Sequence, residues 1–448
     1  NGMFQNCTSL TTAPELPATT LADYCYLFMF WGCTSLTTAP ELKVTTLTSQ
    51  CYRGMFLGCT SLTTAPELPA TTLASYCYQS MLSGCTALTT APALPATTLA
   101  NYCYYSMFQG CTSLTTAPEL PATTLTSYCY NSMFLGCTGL TKAPELPATT
   151  LADYCYYQML SECTSLTTAP ELPATTLAKN CYGYMFYYCT SLTTAPELPA
   201  TTLASSCYSR MFEGCTNLTQ APDLPATTLA DYCYSSMFSG CNSLIKLKTV
   251  PSQLPATTLA DYCYSSMFSG CKNLARFPKL PATTLANNCY SNMFDGCIKL
   301  TTSLAPDLPA TTLADYCYSS MFSGCTGLIT APVLPATTLA GSCYDGMFYN
   351  CSNLNYIKCS ATDISATNCT TDWVSGVSST GRFIKEMGME WETGNSGIPE
   401  GWKVEEGVIT FTAEQENSTI ELSKLSSYQT LEYKTDSSDW TNMDTSTT

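Results

Sequence analysis

The chain has no histidine. That removes the commonest general base, a leading metal ligand and the side chain that titrates nearest neutrality. Charge is scarce as well: Asp, Glu, Lys and Arg make up only 11% of 448 residues. What charge there is runs one way, 33 acids against 17 bases for a net of −16. Such a surface repels a phosphate backbone, so nucleic acid is a poor partner. No apolar run approaches the ~20 residues of a membrane-spanning helix, and no secretory leader is recognisable. No nucleophile–base pair and no paired acids stand out, so nothing points to an enzyme or to a cofactor. What the chain does have is apolar surface, with 45% hydrophobic residues and no long charge runs. That is enough to fold.

It also has a repeat. The unit reads CTSLTTAPELPATTLADYCYSSMFSG. Its leading cysteine recurs every 26 residues from Cys7 to Cys241, then at Cys271, Cys297, Cys325 and Cys351, where two units carry insertions of four and two residues. A second cysteine series, Cys25 to Cys343, precedes the first by eight residues. A period of this length marks a solenoid, in which no unit can bury its own apolar face and stacking builds the core. Each unit predicts one short strand, such as Leu10–Ala13, ended by Pro14, which cannot donate to a ladder. A short helix is expected next, entered by a capping box at Thr20 and Asp23. Its apolar stripe would be Leu21, Cys25 and Met29, and Gly32 would close it in a left-handed cap. Glu162 and Tyr188 take the Gly32 slot in two units, where a different or strained turn is expected. The columns expected inside are Leu10, Leu21, Cys25, Met29, Phe30 and Cys33, with strands stacked in parallel on one face and helices on the other.

The expected organisation is a solenoid of about 14 repeats over residues 1–376, with Cys369 and Trp373 in a degenerate last repeat. A β-rich cap over 377–407 follows, then a small β domain over 408–448 marked by alternation in VITFTA, STIEL and TLEYKT. Asn1 falls inside a helix-type segment and the last segment holds about three strands, so both ends read as cut, with self-association through the N-terminal end as one consequence.

The run MFxGCTSLTTAPELP resembles the core of BspA-like, or Treponema-type, leucine-rich repeats, in a longer variant like that of surface proteins of gut Bacteroidales. The segment from Cys359 through GIPEGWKVEE is similar to the closing cap of such arrays. The resemblance covers nearly the whole chain. It implies an α/β leucine-rich-repeat-type solenoid and a bacterial cell-surface or secreted protein that binds extracellular proteins or glycans. A glycan-binding module, or a subunit of a head-to-tail fibre or phage-tail-like appendage, are the alternatives.

The 29 cysteines could be thiols, bridges or metal ligands. A Cys-x7-Cys spacing without histidine does not suit zinc, and free cysteine packs as a small hydrophobe. The expectation is buried, inert thiols, with Cys359 and Cys369 the one pair that could bridge. Glu15, Glu41, Glu67, Glu119, Glu145, Glu171, Glu197, Asp223 and Asp307 form a carboxylate column, interrupted by Ala93, Gln253, Lys279 and Val333. It reads as a solvated face before it reads as a row of cation sites. The threonine pairs, such as Thr11 and Thr12, read as solvent-facing strand residues before they read as an ice- or sugar-matching array.

Differences between units locate two candidate sites. Half of the twelve bases before residue 371 fall between Lys246 and Lys299. Lys246, Lys248, Arg276, Phe277 and Lys279 there suggest a basic, aromatic contact for an acidic protein or glycan, against drift on a solvated face. On the opposite side, early units carry Leu27, Phe28, Trp31, Leu57, Leu135, Tyr184 and Tyr187 where later ones carry serine. A stripe of such residues suggests an interface; scattered apolar residues on an ordinary surface are the alternative.

Overall fold

The computed structural model describes residues 2–248, 253–300 and 306–406, together with strands at Leu431–Tyr433 and Thr441–Met443. Two compact units divide the chain, Asn1–Gly407 and Val408–Thr448.

Stacked coils form the first unit. Their strand side is sparse because each coil carries prolines that lack an N–H. Neighbouring coils meet in parallel at single bridges: Thr12 to Thr38, Thr38 to Thr64, Thr64 to Thr90, Thr90 to Thr116 and Thr116 to Lys142. A second line of bridges joins the later threonines, as at Thr72 to Thr98 and Thr124 to Thr150. True strands appear where the proline is lost. In β1 (Gln220–Ala221) and β2 (Lys246–Leu247), paired in parallel, Lys248 stands in the proline slot and its N–H donates to the Ala221 carbonyl at 2.9 Å. In the last coil Lys358 takes that slot, and β3 (Tyr356–Cys359) extends to four residues. It pairs in parallel with β4 (Arg382–Lys385), which pairs with β5 (Lys403–Glu406).

The expected helices do not form; among the described residues there is none. In their place each coil makes a run of reverse turns. The N–H groups of Cys77, Gln79, Met81, Ser83 and Cys85 donate to the carbonyl three residues back, at 3.2–3.3 Å. Those of Tyr76, Tyr78, Ser80, Leu82 and Gly84 donate to Asn101, Cys103, Tyr105, Met107 and Gln109 of the next coil, at 2.7–3.1 Å. Half of the amides thus close turns and half tie coils together, which satisfies the donors of both sets. Every fourth residue has positive φ: Tyr76 (61°), Ser80 (52°) and Gly84 (74°). Positive φ at the third turn residue separates a type II turn from type I, so the two types alternate. Glu162 (59°) and Tyr188 (53°) keep the left-handed conformation of the glycine slot without being glycine.

The expected capping box is also overturned. Asp23 Oδ1 accepts the N–H of Ser49, one coil on, at 3.0 Å, and Asp153 accepts that of Lys179 in the same way. With no helix to cap, the carboxylate binds the donor that the next coil presents along the axis.

This geometry turns two residues in and two out. Cys77, Tyr78, Met81, Leu82 and Cys85 are buried, and the residues between them face outward. The expected cysteine, Met29, Phe30 and Leu10 columns are inside, except that Leu10 and Cys25 of the first coils are half-buried. The Leu21 column is only half-buried in many coils, as at Leu21, Leu47, Leu151, Leu177, Leu229, Leu285 and Leu313. Beside them runs a tyrosine column, Tyr52, Tyr78, Tyr104 onward to Tyr344, with ring centroids 5.7–6.2 Å apart. Phenylalanines such as Phe212, Phe238, Phe268 and Phe294 stack at 5.6–5.8 Å. Trp373 closes both columns, 6.1 Å from Tyr344 and 6.2 Å from Phe348, with its Nε1–H donating to the Gly397 carbonyl at 2.8 Å.

All 29 cysteines are free, including Cys359 and Cys369, and all but Cys7 and Cys25 are buried. The first series is also directional. Cys59 Sγ–H donates to the Phe30 carbonyl of the preceding coil at 3.1 Å, and Cys137 to that of Phe108 at 3.0 Å. The Phe30 carbonyl already accepts the N–H of Cys33 at 3.1 Å. One carbonyl therefore serves two coils.

In the second unit β6 (Leu431–Tyr433) pairs antiparallel with β7 (Thr441–Met443). The VITFTA and STIEL segments lie outside the described residues.

Candidate binding surfaces

The strand side gathers part of the basic group. The Ala275 N–H donates to the Ile245 carbonyl at 3.2 Å, which puts Arg276 beside Lys246 on adjacent coils. Lys279 bridges in parallel to Gln253. All three are exposed, and among the described residues none is in an ion pair. Lys248 stands apart: its Nζ pairs with Glu197. Phe277 corrects the sequence reading. Its ring points inward, edge-on to Phe294 at 5.0 Å and to Phe322 at 5.6 Å, so it offers no stacking face to a ligand. Its slot is an alanine in most coils, packed against the core and half-buried in many of them, and a larger apolar side chain there is fully buried. Residues 249–252 of the inserted loop lie outside the described residues.

The carboxylates Glu119, Glu145, Glu171 and Glu197 are exposed on this side. Between two coils a shallow groove of about 530 Å³ is lined by Pro144, Glu145, Pro147, Thr168, Pro170 and Glu171 among others. No group of acids or thiols among the described residues is placed to hold a metal ion.

On the turn side the aromatic residues singled out in the sequence meet in two places. Phe28 and Trp31 meet at 5.5 Å, and the Arg53 guanidinium lies 5.8 Å from the Phe28 ring centre. Farther along, Tyr184 touches Tyr157 at 5.4 Å and Tyr187 at 5.5 Å, and Tyr187 meets Tyr188 at 4.5 Å. Arg210 lies 5.6 Å over Tyr184 and pairs with Glu213 at 3.2 Å. Burial raises the Glu213 pKa, with Arg210 opposing that shift. Glycines make room for these rings: a Cβ on Gly183 would meet Tyr157 at 3.1 Å, and one on Gly214 would meet Tyr188 at 2.9 Å. Leu27, Leu57 and Leu135 are half-buried.

Sequence reasoning missed a second row on this side. Tyr76, Tyr102, Tyr128 and Tyr154 stack with centroids 4.5–4.7 Å apart and planes within 7°. Tyr232 and Tyr262 repeat the arrangement at 4.6 Å. Recurrence of Tyr just before the second cysteine was visible in the sequence, but a helical reading gave it no partner one coil away.

No helix among the described residues is long and apolar enough to cross a membrane. No curated protein and no solved structure matches the chain. The pattern of the BspA type leucine rich repeat region does match, in six copies over residues 1–115, 149–301 and 262–369. With its parallel coil bridges, its leucine columns and that match over most of its length, the chain belongs to the BspA-type leucine-rich-repeat family.

Proposed function

We propose that this chain is a non-catalytic binding protein, displayed on a bacterial surface or secreted, and that its strand side contacts an anionic partner. The observation that carries the proposal is the placement of Lys246 and Arg276 side by side on adjacent coils, with Lys279 exposed nearby. Three cations held by a rigid stack cost little entropy to align with carboxylate or sulfate groups. They also add positive charge to a face on which Glu119, Glu145, Glu171 and Glu197 are exposed, so an anionic partner repelled by those carboxylates is steered to this stretch. Membership of a leucine-rich-repeat family supports a binding role, and the fold alone names no ligand.

The test is retention on immobilised sulfated polysaccharide, on neutral dextran and on an acidic peptide. At low salt the native chain is retained by an anionic matrix and passes through dextran. The Arg276→Ala/Lys279→Ala double variant elutes at clearly lower salt, because exposed charges act through screened electrostatics. Equal elution of native and double variant on both anionic matrices refutes the site.

A further inference from the structure

The oxidisable side chains of this protein are sorted by depth. The thiols beyond Cys25 and the methionines from Met29 to Met347 are buried, whereas the stacked tyrosines of the turn side reach solvent. Those tyrosines occupy one slot of the coil, filled in order by Tyr24, Gln50, Tyr76, Tyr102, Tyr128, Tyr154, Asn180, Ser206, Tyr232, Tyr262, Asn288, Tyr316, Ser342 and Asn368. The residue in this slot has positive φ in every case, so each ring leaves the backbone in the same direction. Where tyrosines occupy successive coils their rings are close to translation copies of one another, 4.5–4.7 Å apart and 5–7° from parallel. The buried tyrosine column, by contrast, is spaced at 5.7–6.2 Å and closed to solvent.

We propose that the ladder Tyr76–Tyr102–Tyr128–Tyr154, and the pair Tyr232–Tyr262, are sites of oxidative dityrosine formation that staple neighbouring coils together. The oxidant is hydrogen peroxide activated by a haem peroxidase. It takes one electron and one proton from each of two phenols, and the peroxide leaves as two waters. Each tyrosyl radical carries spin on the ring carbons beside the hydroxyl. In translation-related rings these carbons face their counterparts on the next coil. One carbon–carbon bond forms between them, and each coupled carbon then passes its hydrogen to its own oxygen, restoring both phenols. Two hydrogens are lost from the pair in total, matching the two electrons and two protons that the peroxide gains. Fixed proximity favours this coupling over collision between separate chains. The buried thiols are shielded from the same oxidant, since oxidation of cysteine needs an accessible thiolate. A staple acts where a solenoid is weakest, at the interface between neighbouring units.

The slot supplies its own controls. Tyr316 has no tyrosine in this slot on either neighbouring coil, where Asn288 and Ser342 stand, and Tyr24 has none on the following coil, where Gln50 stands. The reduced full chain, kept dilute, is treated with a haem peroxidase and limiting hydrogen peroxide, then read by dityrosine fluorescence, by size and by mass spectrometry of linked peptides. The expected result is monomeric protein whose links join only successive ladder tyrosines, with the buried thiols unchanged. Tyr128→Phe keeps the ring and its packing but cannot form a phenoxyl radical. In that variant the Tyr102–Tyr128 and Tyr128–Tyr154 links vanish, while Tyr76–Tyr102 and Tyr232–Tyr262 persist. Absence of dityrosine under conditions that couple free tyrosine overturns the proposal. So does linkage mainly between chains through Tyr24 and Tyr316, or a Tyr128→Phe variant whose dityrosine yield equals that of the native chain.

Discussion

Raising the pH should dismantle this solenoid well before ordinary proteins unfold. A buried thiol stays protonated: burial pushes Cys59, Cys137 and Cys233 up to about 12, and Cys51 to about 11. An unfolded thiol ionises near pH 8.5. Folding is therefore indifferent to pH below about 8.5, and stability falls as pH climbs from there toward the folded value. The loss is about 0.8 kcal/mol per thiol at pH 9 and about 2 kcal/mol at pH 10. Most coils hold one buried thiol from each series, so a coil loses roughly 4 kcal/mol by pH 10. At roughly 0.05–0.15 kcal/mol per residue, a coil of this length contributes about 1–4 kcal/mol. The two figures cross between about pH 9 and 10. Buried tyrosines such as Tyr52, raised first by burial, add to the loss above about pH 10. The assay is far-ultraviolet circular dichroism against pH in excess reductant, with thiol labelling in parallel. Structure and labelling should change together in that window. Replacing both thiols of several central coils by alanine should move the transition to higher pH relative to the folded baseline. A signal unchanged to pH 10.5, with the thiols still unlabelled, would show that the unfolded state does not gain this ionisation and would refute the reasoning.

Two further outcomes follow from single side chains. Phe277→Ala removes a buried ring packed edge-on to Phe294 and Phe322, and should cost about 3–4 kcal/mol in urea unfolding while leaving retention on anionic matrices unaltered in the folded protein. Lys248→Pro restores the proline of the other coils and deletes the Lys248 N–H bond to Ala221. It should cost about 1 kcal/mol and speed amide exchange in β2, whereas loss of the exposed Lys248–Glu197 pair should add little.

Much of this architecture could be read from spacing. A cysteine every 26 residues demands a stack, and leucine, methionine and cysteine at fixed offsets demand that those columns face inward. The proline rule went further than expected: it predicts short strands, and the two places where lysine replaces the proline are where strands lengthen. The helix was misread because Leu21, Cys25 and Met29 sit four apart. A 3.6-residue helix turns such a stripe by about 40° at each step. A two-in, two-out chain keeps it straight. Tyr26 and Phe30, each next to a stripe member, carried that pattern, and the buried tyrosine column went unseen with it. The basic patch was legible as charge, since only position along the coil was needed. Phe277 was not, because whether a ring enters the core depends on the space beside Phe294 and Phe322.

Whether the turn side really alternates left-handed residues can be decided at Ser80, a half-buried residue with φ of 52° and no side-chain hydrogen bond among the described residues. In a helix the order of stability at such a site is alanine, then serine, then glycine, over about 1 kcal/mol. In the left-handed conformation a Cβ itself is the problem, costing roughly 1–2 kcal/mol. Glycine escapes that cost and gives back about 0.5–1 kcal/mol as chain entropy. Ser80→Gly should then gain up to about 1 kcal/mol, and Ser80→Ala should gain nothing or lose slightly. The measurement is the urea midpoint of each variant at equal slope, with amide exchange at Ser80 and Leu82 to show that the inter-coil bonds to Tyr105 and Met107 persist. The two readings predict opposite orders for the same pair of substitutions, so no common shift from lost packing can mimic the answer. Alanine ending above glycine would mean that the backbone there is right-handed and that the alternating turns are wrong.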